Sequence, residues 1–206
     1  MSLRVSPGAM SVRLPGRRAR GVTILCSRRA RTFAVSSAAG WGSAVSEVVL
    51  MPWEREWAQH VGEMRDKANA NKRDAAYYDP KRMEPNLTAS VASACAEMAV
   101  AKRLNKYWDG SFWAAAQHKQ FRHLADVGTN TEVRRIRSRS NPMVVRERDV
   151  KAGRVMVCAY PVPDEFVVVE VIGYGFAAEL WEQGRPADYD RKGTTRLVPQ
   201  DRLYAL

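Results

Sequence analysis

Cysteine, histidine and long apolar runs are all scarce in this chain. Its 206 residues hold three cysteines, Cys26, Cys95 and Cys158, far apart and without a CxxC. An odd, scattered set argues against a disulfide framework or a thiolate zinc site, and for reduced thiols in a cytosol. Cys95 and Cys158 lie in apolar runs and read as buried, inert thiols. The three histidines, His60, His118 and His123, show no metal-ligand spacing beyond a loose pair five apart, and His118 and His123, without a carboxylate or cysteine partner at motif spacing, are expected on the surface. No apolar run approaches the ~20 residues that a bilayer crossing needs, so no membrane partner is expected and the localisation read is cytoplasmic.

Acids are missing altogether from residues 1–46, which carry eight arginines. Those eight account for most of the net charge of +11 and leave +3 to residues 47–206. The body is thus only mildly basic, and whole-chain charge is weak evidence for a nucleic-acid partner. The Arg-, Ser-, Ala- and Gly-rich stretch admits three readings: an organelle transit peptide, a basic arm that touches phosphates, or non-native sequence read from an upstream start codon. In each, 1–46 is a disordered basic extension outside the fold. Patterned sequence begins at Met51-Pro52-Trp53-Glu54, which makes Met51 a candidate true start.

What is present downstream is periodic. Trp53, Trp57, Val61, Met64 and Ala68 recur at helical spacing, predicting an amphipathic helix over about 52–73 with these residues as its apolar face. Tyr77-Tyr78-Asp79-Pro80 opens a loop, and 47–85 reads as this helix plus that loop. Asn86 to Ser90 offers N-cap residues for a second helix over about 89–106, whose many alanines imply close packing against a neighbour. After the Trp108-Asp109-Gly110 turn the period changes. FRHLADV, TEVRRIR, PMVVRERDV, RVMVCAYPV and EFVVVEVIGYG read as strands parted by turn signals. AAELWEQ reads as a short helix stopped by Gly184, and TTRLVPQDRLYAL as a last strand and closing turn. The class is α+β or α/β: N-terminal helices, then a mixed sheet of about five strands with a late short helix, with 86–206 as the main domain.

Chemistry concentrates between Asp126 and Arg134, which read D-V-G-T-N-T-E-V-R. Strand side chains alternate, so Glu132 and Arg134 share a face and Val133 takes the other. A hairpin through Gly128–Asn130 brings Glu132 back beside Asp126. Two carboxylates with a cation beside them suit Mg²⁺, which prefers oxygen ligands and activates water against a phosphodiester. Arg135, Arg137, Arg139, Arg146 and Arg148 follow closely and are candidates for a DNA-phosphate surface. The bland readings are turn chemistry for Asp126, a solvated strand face for Glu132 and Arg134, and an exposed Glu97 pairing with Lys102 or Arg103.

The same residues resemble the PD-(D/E)xK nucleases, the restriction-endonuclease-like fold, in which an acid precedes an E-x-K on the next strand and a helical glutamate often joins. In that resemblance Glu97 takes the helical place, Asp126 the acid and Glu132-Val133-Arg134 the E-x-K, with arginine for lysine and Ala125 where proline usually stands. Residues 86–206 are also similar to small phage-encoded proteins carrying an A-E-x-A-V-A-K helix, a D-V-G segment and a terminal L-V-P-Q, here at Ala96–Lys102, Asp126–Gly128 and Leu197–Gln200. The resemblance implies a Mg²⁺-dependent DNA phosphodiesterase: Asp126 and Glu132 as metal ligands, Arg134 stabilising the phosphorane, Glu97 assisting. The alternatives are a non-catalytic nucleic-acid-binding module on the same fold, and a structural protein that docks a protein partner through Trp53 and Trp57.

Overall fold

The computed structural model describes residues 45–69, 84–113, 117–121 and 123–206. The expected extension up to residue 44, the Tyr77–Pro80 loop and the last residues of the first predicted helix lie outside them. In chain order the elements are β1 (Ser46–Val49), α1 (Pro52–Asn69), α2 (Asn86–Leu104), α3 (His118–Phe121), β2 (Thr131–Arg135), β3 (Met143–Arg146), α4 (Glu147–Lys151), β4 (Val155–Pro161), β5 (Val168–Phe176), α5 (Ala177–Gln183), β6 (Arg185–Pro186) and β7 (Thr195–Val198), with a closing 3₁₀ turn at Gln200–Arg202. The strands form two sheets where one of about five strands was expected. One is mixed, in the order β1-β5-β4-β2, with β2 parallel to β4 and the other pairings antiparallel. The other is antiparallel, in the order β3-β7-β6.

The four-stranded sheet is covered on both faces, which accounts for the apolar runs of β4 and β5. On one face Val133, Val157, Ala159, Val169 and Val171 share a buried core with Ala94, Cys95, Ala99 and Val100 of α2. On the other, Met156, Cys158 and Ile172 pack with Met143, Val145, Leu180 and Val198 of the small sheet and α5. Burial pushes the Cys95 thiol up to about 11 and the Cys158 thiol up to about 12, in keeping with inert thiols.

Helix α2 is covered by α1, and the small side chains permit close approach. A Cβ on Gly62 would stand 2.5 Å from the Val91 Cα. The buried face of α1 is Glu54, Ala58, Val61 and Gly62; of the predicted stripe Val61 is buried and Met64 and Ala68 are half-buried, but Trp53 and Trp57 are 64% and 44% exposed. The alanine-faced α2 leaves no room for indoles, so the helix turns its small residues inward. Buried Glu54 is held by Lys102 Nζ at 2.6 Å and by the Met51 amide at 2.7 Å.

Three further expectations give way. FRHLADV is not a strand: it passes from α3 into a turn, and only Val127 bridges, to Thr131. PMVVRERDV is a strand only to Arg146, because Asp149 caps the Arg146 amide at 2.9 Å and starts α4. The fold also begins upstream of Met51, since β1 pairs with β5 in register Ser46 to Val171 and contributes the buried Val48, followed by buried Leu50.

Two stability outcomes follow. Gly62→Ala gains ~1 kcal/mol of helix propensity but drives a methyl into backbone, a strain of ~1–3 kcal/mol; a lower melting temperature is expected, and an unchanged or higher one contradicts the packing. A chain begun at Met51 lacks β1 and Leu50 and so loses the buried Val48 and Leu50 side chains, at ~1.5–3 kcal/mol per fully buried aliphatic side chain. It should melt several degrees below a chain begun at Val45, and equal melting curves would show β1 to be dispensable.

Candidate active site

Helix α2, the Asp126–Asn130 turn and the edge strand β2 bring the three predicted acids together. Glu97, Asp126 and Glu132 all line one cleft of about 210 Å³, with Arg65, Asn69, Arg148 and an apolar wall. The turn is set by backbone. Val127 and Thr131 exchange amide bonds of 3.0 and 3.3 Å, and Gly128 takes φ +58°, a region glycine enters without Cβ strain. Arg154, buried, clamps the turn by donating to the Thr129 carbonyl at 3.2 Å and to the His123 carbonyl. Asp126 Oδ2 then accepts the Val133 amide at 2.8 Å.

Each acid is held differently. Glu97, expected on the surface, is buried at 6% exposure. Arg65 grips it with two bonds of 2.6 and 2.8 Å, the Trp108 indole donates at 2.9 Å, and Arg65 Nε also donates to the Ser111 carbonyl at 3.0 Å. Lys102, its expected partner, goes to Glu54 instead, and Arg103 goes to Ser46. Glu132 Oε1 is bound by Arg134 at 2.7 Å and approached by Arg148 at 4.0 Å. Arg134 also donates to Asp149 at 2.6 Å and to the Val144 carbonyl at 3.1 Å. One guanidinium thus serves two buried acids.

Asp126 has no salt-bridge partner among the described residues. Burial, then the negative charges of Glu97 and Glu132, hold its carboxyl well above the usual carboxylate range, against the Val133 amide and Arg134, which act the other way. Its turn chemistry is therefore real, since a backbone amide holds it, yet the other acids crowd the same place. Among the described residues, no three His, Cys, Asp or Glu side chains form a group able to hold a metal ion. Asp126 and Glu132 line the same cleft.

The arginine run does not make one surface. Arg134 is tied between Glu132 and Asp149 and is not among the cleft-lining residues. Arg135, on the opposite face of β2, is bound by Glu84 at 2.7 and 3.1 Å. Arg139 pairs with the buried Glu170 and lies over the Tyr160 ring. Arg137 and Arg146 are exposed, and of the run only Arg148 lines the cleft. Sequence reasoning missed Arg65, Trp108, Asp149 and Arg154. Arg65 was findable, because it continues the Ala58, Val61 and Gly62 face of α1; the others sit in loops or a short helix without a periodic signal.

Comparison with protein-family models, curated proteins and solved structures gave no match. Among the described residues, no helix is long and apolar enough to cross a membrane.

A pH dependence follows from Asp126. Its folded carboxyl keeps the proton to higher pH than the unfolded one, at ~3.9. The folded chain therefore binds more protons in that window and loses stability as pH rises through it. Asp126→Asn cannot ionise and escapes the loss. In EDTA, its melting temperature relative to the parent should rise as pH is raised from ~3.9 towards neutrality. A parallel pH course for the two proteins contradicts the crowding.

Proposed function

We propose that this chain is a Mg²⁺-dependent DNA phosphodiesterase of the PD-(D/E)xK type. The observation that carries the reading is the convergence of Glu97, Asp126 and Glu132, from a helix, a turn and a strand, on one cleft that also presents Arg65 and Arg148. The likeness to the restriction-endonuclease-like site rests on these three acids and not on the elements that carry them, since Asp126 lies in a turn where that family has a strand.

The donor set fits a hard divalent ion. Asp126 and Glu132 each spend one oxygen on a fixed donor, Val133 N and Arg134, and no described residue donates to Asp126 Oδ1 or Glu132 Oε2. Mg²⁺ commonly takes one or two protein carboxylates and fills its shell with water and substrate phosphate. When bound, it supplies a Lewis acid at a phosphoryl oxygen and an activated water. The chain's own residues divide the remaining work. Arg148, half exposed at the cleft, meets the phosphate charge. Arg134 stands in the place of the family lysine; permanently protonated, it orients Glu132 and takes no proton. Glu97, with both oxygens engaged, fixes Arg65 and is a positioning residue.

The exposed Trp53 and Trp57, beside Val49 at 57% and Met51 at 52% exposure, favour a second reading, a non-catalytic interaction protein that docks through α1.

Supercoiled DNA incubated with the full chain separates the two. Nicking is expected with Mg²⁺ or Mn²⁺, abolished by EDTA and reduced ~100-fold or more by Glu132→Ala. Cleavage that survives the substitution in a folded variant refutes the site, and no cleavage by the parent leaves the docking reading.

A further inference from the structure

The cleft has a second wall that the acids do not use. Phe112, Trp113, Phe121 and Leu124 line the same cleft as the charged groups. Trp113 and Phe121 stack with ring centroids 4.2 Å apart and planes 21° from parallel. Phe112 and Leu124 are exposed, at 37% and 42%. None of the four belongs to either buried core or to the residues packed against one. Three aromatic rings line a cleft that also holds acids, outside both cores, and offer a flat surface to a ligand.

We infer that this aromatic wall stacks an unpaired nucleobase, so that single-stranded DNA, rather than intact duplex, is the substrate of the phosphodiesterase reading on which this inference rests. Every base has a π-face, and stacking on aromatic side chains beside cationic groups is the general means of holding single strands. Arg148 supplies a half-exposed cation in the same cleft, whereas Arg65 is spent on Glu97 and the Ser111 carbonyl. A base inside an intact duplex is already stacked on both sides and cannot use the wall without first leaving the helix. The arginine run also fails to form the broad basic face that tracking a duplex backbone requires, since Arg134, Arg135 and Arg139 are spent on Glu132, Asp149, Glu84 and Glu170. Charge and shape thus agree on one strand entering a narrow cleft, its base on the ring wall and its phosphate towards the acids.

The test uses the full chain with a fluorescently labelled 20-mer, single-stranded or as blunt duplex, in Ca²⁺ to hold back cleavage. Tighter binding of the single strand is expected. Trp113→Ala and, separately, Phe112→Ala should weaken it roughly 5- to 150-fold, the worth of one stacked base, and leave duplex binding unchanged. A 2-aminopurine in the single strand should be quenched by the parent protein, which keeps the test decisive if Trp113→Ala does not fold. Equal affinity for the two forms, an unquenched probe or unaltered binding by the folded variants overturns the inference, while metal-dependent cleavage of duplex in parallel assays keeps the phosphodiesterase. Absence of both binding and cleavage removes the phosphodiesterase reading, and the inference goes with it.

Discussion

Arg65 and Glu97 form the contact on which the geometry of the cleft depends. Their paired hydrogen bonds join α1 to α2, and the additional bonds to Trp108 and Ser111 fasten the segment after α2 to both. The pair is largely out of water, so its loss is no matter of a surface ion pair worth a few tenths of a kcal/mol. Removing one partner strands the other charge at a cost of ~3–5 kcal/mol. The close approach of α1 and α2 at Gly62 sets how far Arg65 reaches, so a packing choice between two helices fixes an electrostatic one. From that clamp follow the position of Trp108 and the start of the aromatic wall at Phe112.

Charge around the cleft is deliberately uneven. Arg65 answers Glu97, and Arg134 answers both Glu132 and Asp149, while Asp126 has a backbone amide and no cation within salt-bridge distance among the described residues. A fold selected for stability alone would more cheaply place an asparagine there, since the amide would satisfy Val133 without burying ionisable charge. Arg154 spends a buried guanidinium on holding the turn that carries this acid.

How much of this was legible in the sequence depended on which physical signal carried it. The long helices were, because 18 and 19 residues give several turns of periodicity. So were β4, β5 and α5, from runs of β-branched residues and a glycine stop. The face of α1 was misjudged because the tryptophans outweighed Ala58 and Gly62 in hydrophobicity, whereas fit against an alanine-rich partner decided the packing. FRHLADV misled for a related reason: Phe121 and Leu124 belong to a cleft wall rather than to a strand, and only Val127 enters the core. Within the site, the alternation of Glu132 and Arg134 against Val133 and the return of the chain at Gly128 were local properties and could be read directly. The partners of Glu97 could not, since Arg65 is 32 residues away and reaches it only through helix packing. The spacing of the arginines likewise said nothing of which would meet Glu84, Asp149 or Glu170.

The proposed chemistry requires Asp126 and Glu132 to share a divalent ion. Mn²⁺ titrated into the full chain and followed by electron paramagnetic resonance tests this directly. One bound ion per chain is predicted, displaced by Mg²⁺ and lost when either carboxylate is replaced by its amide. Mn²⁺ that stays free, or that binds equally to the amide variants, would contradict it.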